Sequence, residues 1–237
     1  MKDFKVGKLF PKPVAHRGLW NGNIAENTLS AYKNAVENDY PIEIDLYKSK
    51  DGEIFSVHDR NMKRLTGKDL DICSLSSSEI KELRIFGKDE IPTLKEVLDL
   101  VNGKVPLLIE IKNQPDGTAV DTVAEILKGY SGDFATQSFN PLYVKKMKKL
   151  LPNKLSGVLS TKKHEDLKDE KPLNRFIVKH TALNFIVRPD FISMEESAFP
   201  IKTKLFKFAW TVRSKEEYEK VKPFADNIIF EGFIPEI

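Results

Sequence analysis

The chain has 237 residues, a length that suits one large domain or two small ones. Its apolar fraction of 41% and its charged fraction of 31% are typical of an ordinary globular protein. The 38 basic and 35 acidic residues leave a net charge of +3, which is too weak a bias to indicate nucleic-acid binding.

Cysteine usage and hydropathy indicate the cellular compartment. Cys73 is the single cysteine, so an internal disulfide is excluded and a reducing compartment is permitted. The first residues lack the apolar core of a signal peptide, and no apolar run approaches the roughly 18 residues of a membrane span. We therefore expect a cytoplasmic protein without stable membrane insertion, and the sequence leaves its oligomeric state open.

Predicted strands and helices alternate through the first half of the chain. A residue with a capping side chain, Asn27 or Thr28, precedes the first helix. A turn at Asp51-Gly52 joins two strands in a hairpin. The predicted elements are strands at 14–15, 42–47, 54–57 and 105–111, and helices at 29–38, 77–83, 93–100 and 119–128.

The second half of the chain repeats the alternation. Its predicted elements are strands at 134–139, 155–159, 191–194, 205–212 and 227–230, and helices at 141–150, 173–183 and 215–221. Without the hairpin strand at 54–57, eight core strands with mostly helical connections predict an α/β fold, a parallel (β/α)8 TIM barrel. Such barrels typically need about 250 residues, so we expect a single domain over residues 1–237.

Charged residues interrupt two of the apolar strands. Glu43 and Asp45 lie two apart, so both side chains point to one face, which in a barrel is the interior. Glu110 and Lys112 repeat this arrangement on the next strand of the barrel. Three inward carboxylates form a hard oxygen site suited to Mg²⁺ or Ca²⁺. A buried salt bridge between Glu110 and Lys112 is the alternative, but two adjacent strands with the same pattern favour a metal site.

Two of the four histidines, His16 and His58, stand at predicted strand ends. Active sites of such barrels lie at the carboxyl ends of the strands, and two histidines around an anionic centre can serve as general base and general acid. Arg17 adds a fixed cation beside His16, which suits an anionic substrate. A structural role is the alternative for each histidine taken alone. His164 and His180 have helical or charged surroundings, and we expect them at the surface.

Six short motifs follow one another along the chain: His16-Arg17-Gly18, Glu26-Asn27-Thr28, Glu43-x-Asp45, His58-Asp59, Pro92-Thr93-Leu94-x-x-Val97-Leu98 and Glu110-Ile111-Lys112. Their order and spacing resemble those of the glycerophosphodiester phosphodiesterase family. The later segments Ser138-Phe139 and Trp210-Thr211 also fit its strands. The resemblance runs from about residue 14 to residue 230, nearly the whole chain.

The resemblance implies a TIM barrel that hydrolyses glycerophosphodiesters to glycerol 3-phosphate and an alcohol, using a divalent metal ion, Mg²⁺ or Ca²⁺. Arg17 and Lys112 would hold phosphate oxygens. Trp210 ends an apolar strand and is predicted to form a wall of the substrate pocket. The nucleophile is either water or the substrate's own glycerol hydroxyl, and related phospholipases suggest the hydroxyl. The implied metal ligands are Glu43, Asp45 and Glu110, and the implied acid/base pair is His16 and His58.

Two alternatives stay open at this point. One is a phospholipase D-like or phosphoinositide-cleaving enzyme of the same barrel type, and the other is a catalytically inactive barrel that binds glycerophosphodiesters. The presence of both histidines and of the acidic strand argues against the inactive barrel. The last strand departs from the family, whose members often have Thr-Asp before a proline turn, because this chain has Phe230-Glu231-Gly232. This departure leaves the contacts at the end of that strand uncertain.

Overall fold

The computed structural model describes residues 2–114, 116–163 and 183–236, together with residues 176, 178, 179 and 181. The helix predicted for 173–183 falls mostly outside these residues, and His164 and His180 fall entirely outside them. Among the described residues, no helix is both long enough and apolar enough to cross a membrane.

Within the described residues, nine strands form one sheet, and eight of them close into a parallel barrel. β1 pairs in parallel with both β2 and β9, which closes the barrel, whereas β3 pairs with β2 in antiparallel orientation. In chain order the strands are β1 (Val14–Ala15), β2 (Ile42–Lys48), β3 (Ile54–Ser56), β4 (Leu107–Ile111), β5 (Phe134–Ser138), β6 (Leu155–Ser160), β7 (Phe191–Glu195), β8 (Phe206–Val212) and β9 (Asn227–Phe230). The prediction of a (β/α)8 barrel is therefore confirmed.

Apart from α1, which precedes β1, the described helices lie in the connections between strands. In chain order they are α1 (Lys2–Leu9), α2 (Leu29–Glu37), α3 (Lys63–Thr66), α4 (Ser77–Lys81), α5 (Leu94–Val101), α6 (Ala119–Lys128), α7 (Pro141–Leu150), α8 (Asn184–Val187) and α9 (Lys215–Val221). Of the two capping residues proposed for α2, Thr28 is the cap, because its side chain accepts a hydrogen bond from the Ala31 amide. Asn27 has a different role in the site.

Two apolar layers follow from the alternation of side chains along the strands. Ile42, Ile44 and Ile109 face the helices, in a cluster with α2, α5 and α6. A second cluster fills the barrel interior and includes Val6 of α1, a helix that the sequence analysis did not predict, and Phe10 just after that helix. The remaining interior positions of β2 and β4 toward their carboxyl ends are charged, and these positions build the site.

Residues 54–93 form an excursion on one side of the barrel with its own small core. Phe55, Met62, Ile72 and Ile91 are fully buried in that core. The excursion begins with β3. Just after this strand, the Val57 amide donates a hydrogen bond to the Asp45 carbonyl of β2, which fixes the end of β3. It thereby brings the following residue, His58, to the same rim of the barrel as the ends of β1, β2 and β4.

Candidate active site

Apart from Trp210 on β8, the predicted site residues come from the carboxyl ends of the parallel strands β1, β2 and β4, and from the end of antiparallel β3, which runs back toward the same rim. His16 and Arg17 follow β1, Glu43 and Asp45 lie on β2, and His58 follows β3 by one residue. Glu110 is the penultimate residue of β4, Lys112 directly follows the strand, and Asp45 is the register partner of Glu110 across β2 and β4. Parallel strands end at a common rim, so residues far apart in sequence meet there.

A cluster of three carboxylates lies at this rim, on β2 and β4. Glu43, Asp45 and Glu110 are all buried, and one oxygen from each lies within 4.8 Å of the others. Burial, reinforced by the charges of Asp45 and Glu110, raises the pKa of Glu43 well above its ordinary value. Burial likewise raises the pKa of Glu110 to about 7, with Asp45 adding to the rise. Closely spaced oxygen ligands whose ionisation is opposed by burial and repulsion fit a hard divalent cation.

Lys112 lies between two of these carboxylates. Its ammonium is 2.7 Å from Asp45 Oδ1 and 2.8 Å from Glu110 Oε1. Burial lowers the pKa of Lys112, but the two carboxylates outweigh it and raise the pKa above its ordinary value. The salt bridge to Glu110 that the sequence offered as an alternative is therefore present. It does not extend to Glu43, which accepts a hydrogen bond from the backbone amide of Arg17 at 3.1 Å.

Arg17 is fixed by carboxylates at both its backbone and its side chain. Its φ of 59° places it in the left-handed region, which turns its amide toward Glu43. The guanidinium is 2.7 Å from Glu26 Oε1 and 3.4 Å from Asp45 Oδ2. Only 14% of the side chain is exposed, so the cation is positioned before any ligand binds.

Asn27 orients Asp45 through a short buried network. Its side-chain amide donates to Asp45 Oδ2 at 2.9 Å, and its oxygen accepts the Tyr32 hydroxyl at 2.7 Å. The Tyr32 hydroxyl is also 2.6 Å from the Ser56 hydroxyl. Burial alone would raise the pKa of Asp45, but Lys112 and other nearby cationic groups hold it well below its ordinary value. Asp45 is therefore the member of the cluster that stays ionised most readily.

His16 is buried and contacts a carboxylate from the end of the last strand. Its Nδ1 lies 2.5 Å from Glu231 Oε2, and its backbone carbonyl accepts the Trp20 indole N–H at 3.0 Å. Glu231 also accepts a hydrogen bond from Arg213 Nε at 2.7 Å. Burial, together with the neighbouring Arg17, lowers the pKa of His16 below its ordinary value.

His58 is more exposed and contacts its neighbour in the chain. Its Nδ1 lies 2.7 Å from Asp59 Oδ1, and 36% of its side chain is exposed. Arg64 donates to both oxygens of Asp59, at 2.6 and 2.9 Å, and also to both oxygens of Glu26. Partial burial and the Lys112 ammonium lower the pKa of His58 to about 4.

Trp210 lies on β8, which pairs with β7 and β9 and not with the strands that carry the three carboxylates. Its ring packs edge-on against Phe139, with centroids 5.7 Å apart. Its indole N–H is buried and has no hydrogen-bond partner among the described residues. The other tryptophan, Trp20, lines a cleft of about 520 Å³ that also includes Glu231, Phe233 and Ile234.

The sequence analysis missed the residues that hold the predicted ones in place. Glu26 and Asn27 appeared there only within a motif, without assigned contacts. Asp59 had a usable signal, because a carboxylate directly after a histidine at a strand end is within reach of its ring. Glu231 was noted only as a departure from the family, and no local pattern links it to His16, which is 215 residues away.

Comparison with known proteins gives the family. A family model described as "Glycerophosphoryl diester phosphodiesterase family" matches residues 16–225. A glycerophosphodiester phosphodiesterase from Caldanaerobacter subterraneus subsp. tengcongensis is 30% identical over 239 residues, covering 91% of this chain and 92% of the relative.

Solved structures agree with this assignment. A glycerophosphodiester phosphodiesterase from Thermotoga maritima has 29% identity and a TM-score of 0.72, covering 92% of this chain and 94% of that one. An Oleispira antarctica phosphodiesterase, solved with the product sn-glycerol-3-phosphate, shares the fold with a TM-score of 0.77 and 20% identity, over 97% of this chain and 94% of its own. The chain therefore belongs to the glycerophosphoryl diester phosphodiesterase family and is an enzyme of the phosphoric diester hydrolase class.

Proposed function

We propose that residues 1–237 form one catalytic domain that hydrolyses small glycerophosphodiesters to glycerol 3-phosphate and an alcohol. One observation carries this proposal. Two histidines, each bound through Nδ1 to a carboxylate, meet three carboxylates and two buried cations at one rim of the barrel. The printed name of the Caldanaerobacter relative and the sn-glycerol-3-phosphate in the Oleispira structure support the same substrate class.

Two buried cations suit the phosphate of such a substrate. A phosphodiester monoanion gains negative charge as its phosphorus is attacked, so fixed positive groups stabilise the transition state more than the ground state. We assign Arg17 and Lys112 to the phosphate oxygens. Both are already held by carboxylates, with side chains only 14% and 11% exposed, and they need little reorganisation when the charge develops. Trp210 and its contact with Phe139 would form a wall of the pocket.

Two proton transfers accompany the exchange of phosphorus–oxygen bonds. One histidine takes the proton of the attacking hydroxyl as the new bond forms, and the other gives a proton to the departing alcohol oxygen as the old bond breaks. We assign these roles to His16 and His58 as a pair. The attacking hydroxyl belongs to water or to the glycerol of the substrate, and in the second case a cyclic phosphate forms before water opens it.

Glu43, Asp45 and Glu110 would hold the divalent metal ion. The ion, Mg²⁺ or Ca²⁺, would supply Lewis-acid stabilisation of the phosphate charge. Asn27 keeps Asp45 in place by its hydrogen bond at 2.9 Å, and the Arg17 amide keeps Glu43 in place at 3.1 Å. These contacts orient the carboxylates toward one another whether or not the ion is bound.

The test is a product assay on a panel of glycerophosphodiesters that differ in their alcohol group. We expect release of glycerol 3-phosphate, its loss in chelator, and its recovery on addition of Mg²⁺ or Ca²⁺. The His16→Ala variant, purified in parallel, controls for contaminating hydrolases. Product from a lysophospholipid but from no water-soluble diester would instead favour the phospholipase D-like alternative. Absence of product from the whole panel by folded, metal-supplied protein would contradict the proposal.

A further inference from the structure

Glu231 is a charged residue whose position the proposed mechanism does not use. It follows β9, and its amide donates to the Val212 carbonyl at 3.1 Å, which extends the sheet by one step. One carboxylate oxygen lies 2.5 Å from His16 Nδ1, and the other accepts Arg213 Nε at 2.7 Å. Its side chain is only 12% exposed. A carboxylate at this depth, with both oxygens engaged, has a defined orientation.

We propose that Glu231, oriented by Arg213, is the positioning residue that sets the tautomer of His16 and so presents its Nε2 to the substrate. The inference rests on the proposed acid/base role of His16. It concerns the state of the histidine ring rather than the identity of the substrate.

The tautomer follows from the chemistry of the three groups. A guanidinium can only donate hydrogen bonds, and an ionised carboxylate can only accept them. Burial raises the pKa of Glu231, but the hydrogen bond from His16 and the charge of Arg213 outweigh it and hold the pKa at about 2. Glu231 therefore has no proton to donate, so the proton between it and His16 belongs to Nδ1. In the neutral ring the lone pair is then on Nε2, the nitrogen left free to exchange a proton with the substrate.

Replacing the carboxylate by an amide should reverse this arrangement. In Glu231→Gln the side chain has one accepting oxygen and one donating NH₂ group. Arg213 must donate, so the oxygen turns to Arg213 and the NH₂ turns to His16. Nδ1 must then accept, which moves the ring proton to Nε2 and removes the lone pair from the reacting side. The analogous amide substitution in a serine protease triad lowers kcat by about 10⁴-fold through the wrong tautomer.

Removing the guanidinium from that variant should release the amide. In Arg213→Met/Glu231→Gln the amide is free to rotate, because no donor holds its oxygen. The oxygen can then accept Nδ1–H from His16 and restore the original tautomer. The second substitution should therefore raise activity, although Arg213→Met alone should lower it slightly by loosening Glu231. A merely structural role would make the double variant at least as impaired as Glu231→Gln.

The experiment records ¹⁵N spectra of histidine-labelled protein and steady-state kinetics for the wild type and these three variants. His16→Gln assigns the His16 signals among the four histidines. We expect Glu231→Gln to show Nε2–H and a kcat lower by about 10²- to 10⁴-fold with KM unchanged. We expect the double variant to return to Nδ1–H and to recover at least about tenfold in kcat over Glu231→Gln. Glu236→Gln, which removes an exposed carboxylate paired with Lys215, should change neither.

Two results would overturn the proposal. One is an Nδ1–H tautomer or near-normal kcat in Glu231→Gln, and the other is a double variant no more active than Glu231→Gln. Melting curves show whether each variant is folded, and the spectra report the tautomer even in a protein that turns over no substrate. Failure of the proposed function and failure of this inference are therefore distinguishable.

Discussion

The two histidines have the same kind of partner, supplied in different ways. Each ring contacts a carboxylate through Nδ1, and an arginine holds each carboxylate. For His58 the carboxylate is the next residue, Asp59. For His16 it is Glu231, which is 215 residues away in the sequence. Glu231 follows β9, the strand that pairs with β1 and closes the barrel. The side chains also differ in exposure, at 36% for His58 and 11% for His16.

The surroundings of His58 are therefore set by a local segment, and those of His16 by the closure of the whole barrel. The environment of His58 depends on the excursion over 54–93, which has its own core, and on Arg64 within it. The environment of His16 depends on the last strand being docked in register, with Val14 opposite Ile229. Water can replace a lost partner more easily at the exposed ring than at the buried one. We therefore expect His16 to be the more sensitive of the two to changes in its carboxylate.

The largest expected effect comes from removing either ring. His16→Ala and His58→Ala should each lower kcat by about 10²- to 10⁴-fold, because each removes one of the two proton transfers. Steady-state assays on the best diester, with melting curves to confirm folding, measure this. If one variant kept near-normal kcat, that histidine would have no acid/base role, and the two histidines would not form an acid/base pair.

The next effect concerns the cluster of Glu43, Asp45 and Glu110. A divalent ion that binds only the folded chain should raise the free energy of unfolding by about 2.7 kcal/mol at 100 times its dissociation constant. Each kcal/mol moves the melting midpoint by roughly 2–4 °C for a domain of this size. Adding Mg²⁺ or Ca²⁺ to chelator-treated protein should therefore raise the midpoint by several degrees, measured by calorimetry.

Glu110→Gln should lose most of that stabilisation, because it removes one ligand charge and keeps the side-chain shape. Without metal the variant should melt at or above the wild type, since the cost of burying the Glu110 charge, which raises its pKa together with the repulsion from Asp45, is gone. Glu90→Gln, at an exposed carboxylate paired with Arg84, is the matched control and should respond to metal as the wild type does. A wild-type midpoint and activity that are both indifferent to chelator would remove the metal from the mechanism.

The smallest expected effect comes from changing Asp59. It compares the carboxylate partner of His58 with that of His16. Asp59→Asn should let its oxygen face Arg64 and its amide face His58, as in the corresponding change at Glu231. Water can still accept from the exposed ring, so we expect a loss in kcat of about 10–100-fold, as found for carboxylate partners of metal-bound histidines. The same assay on Asp121→Asn, at a surface pair with Lys146, provides the baseline. A loss larger than that of Glu231→Gln would reverse the proposed order of sensitivity.

Periodicity was sufficient to predict the barrel. The alternation that places Ile42 and Ile44 against the helices also places Glu43 and Asp45 inside, and the structure has both arrangements. Helix α1 was missed because Val6 within it and Phe10 just after it, both buried, give a weak pattern in a lysine-rich segment. They are buried through contact with interior residues such as Phe208, which no local pattern reports.

The position of a site residue was predictable where it lies on the same strand as another site residue or on a neighbouring strand. Contacts between distant segments of the chain were not predictable. The clustering of Glu43, Asp45 and Glu110 followed from two-residue spacing on adjacent strands. The contacts of Asn27 with Asp45 and of Glu231 with His16 depend on a left-handed turn and on closure of the sheet. Neither contact can be predicted from residue spacing, because tertiary structure alone brings those atoms together.

Closure of the barrel by its first and last strands also sets when the enzyme becomes active during its synthesis. A ribosome adding about 5–20 residues per second needs roughly 10–40 s to make the 215 residues between His16 and Glu231. Through that time β1 lacks its β9 partner, whereas His58, Asp59 and Arg64 have emerged together. Pairings between distant segments form late because closing a long loop is entropically costly. The nascent chain therefore completes the surroundings of His16 only after Glu231 has been made, long after those of His58.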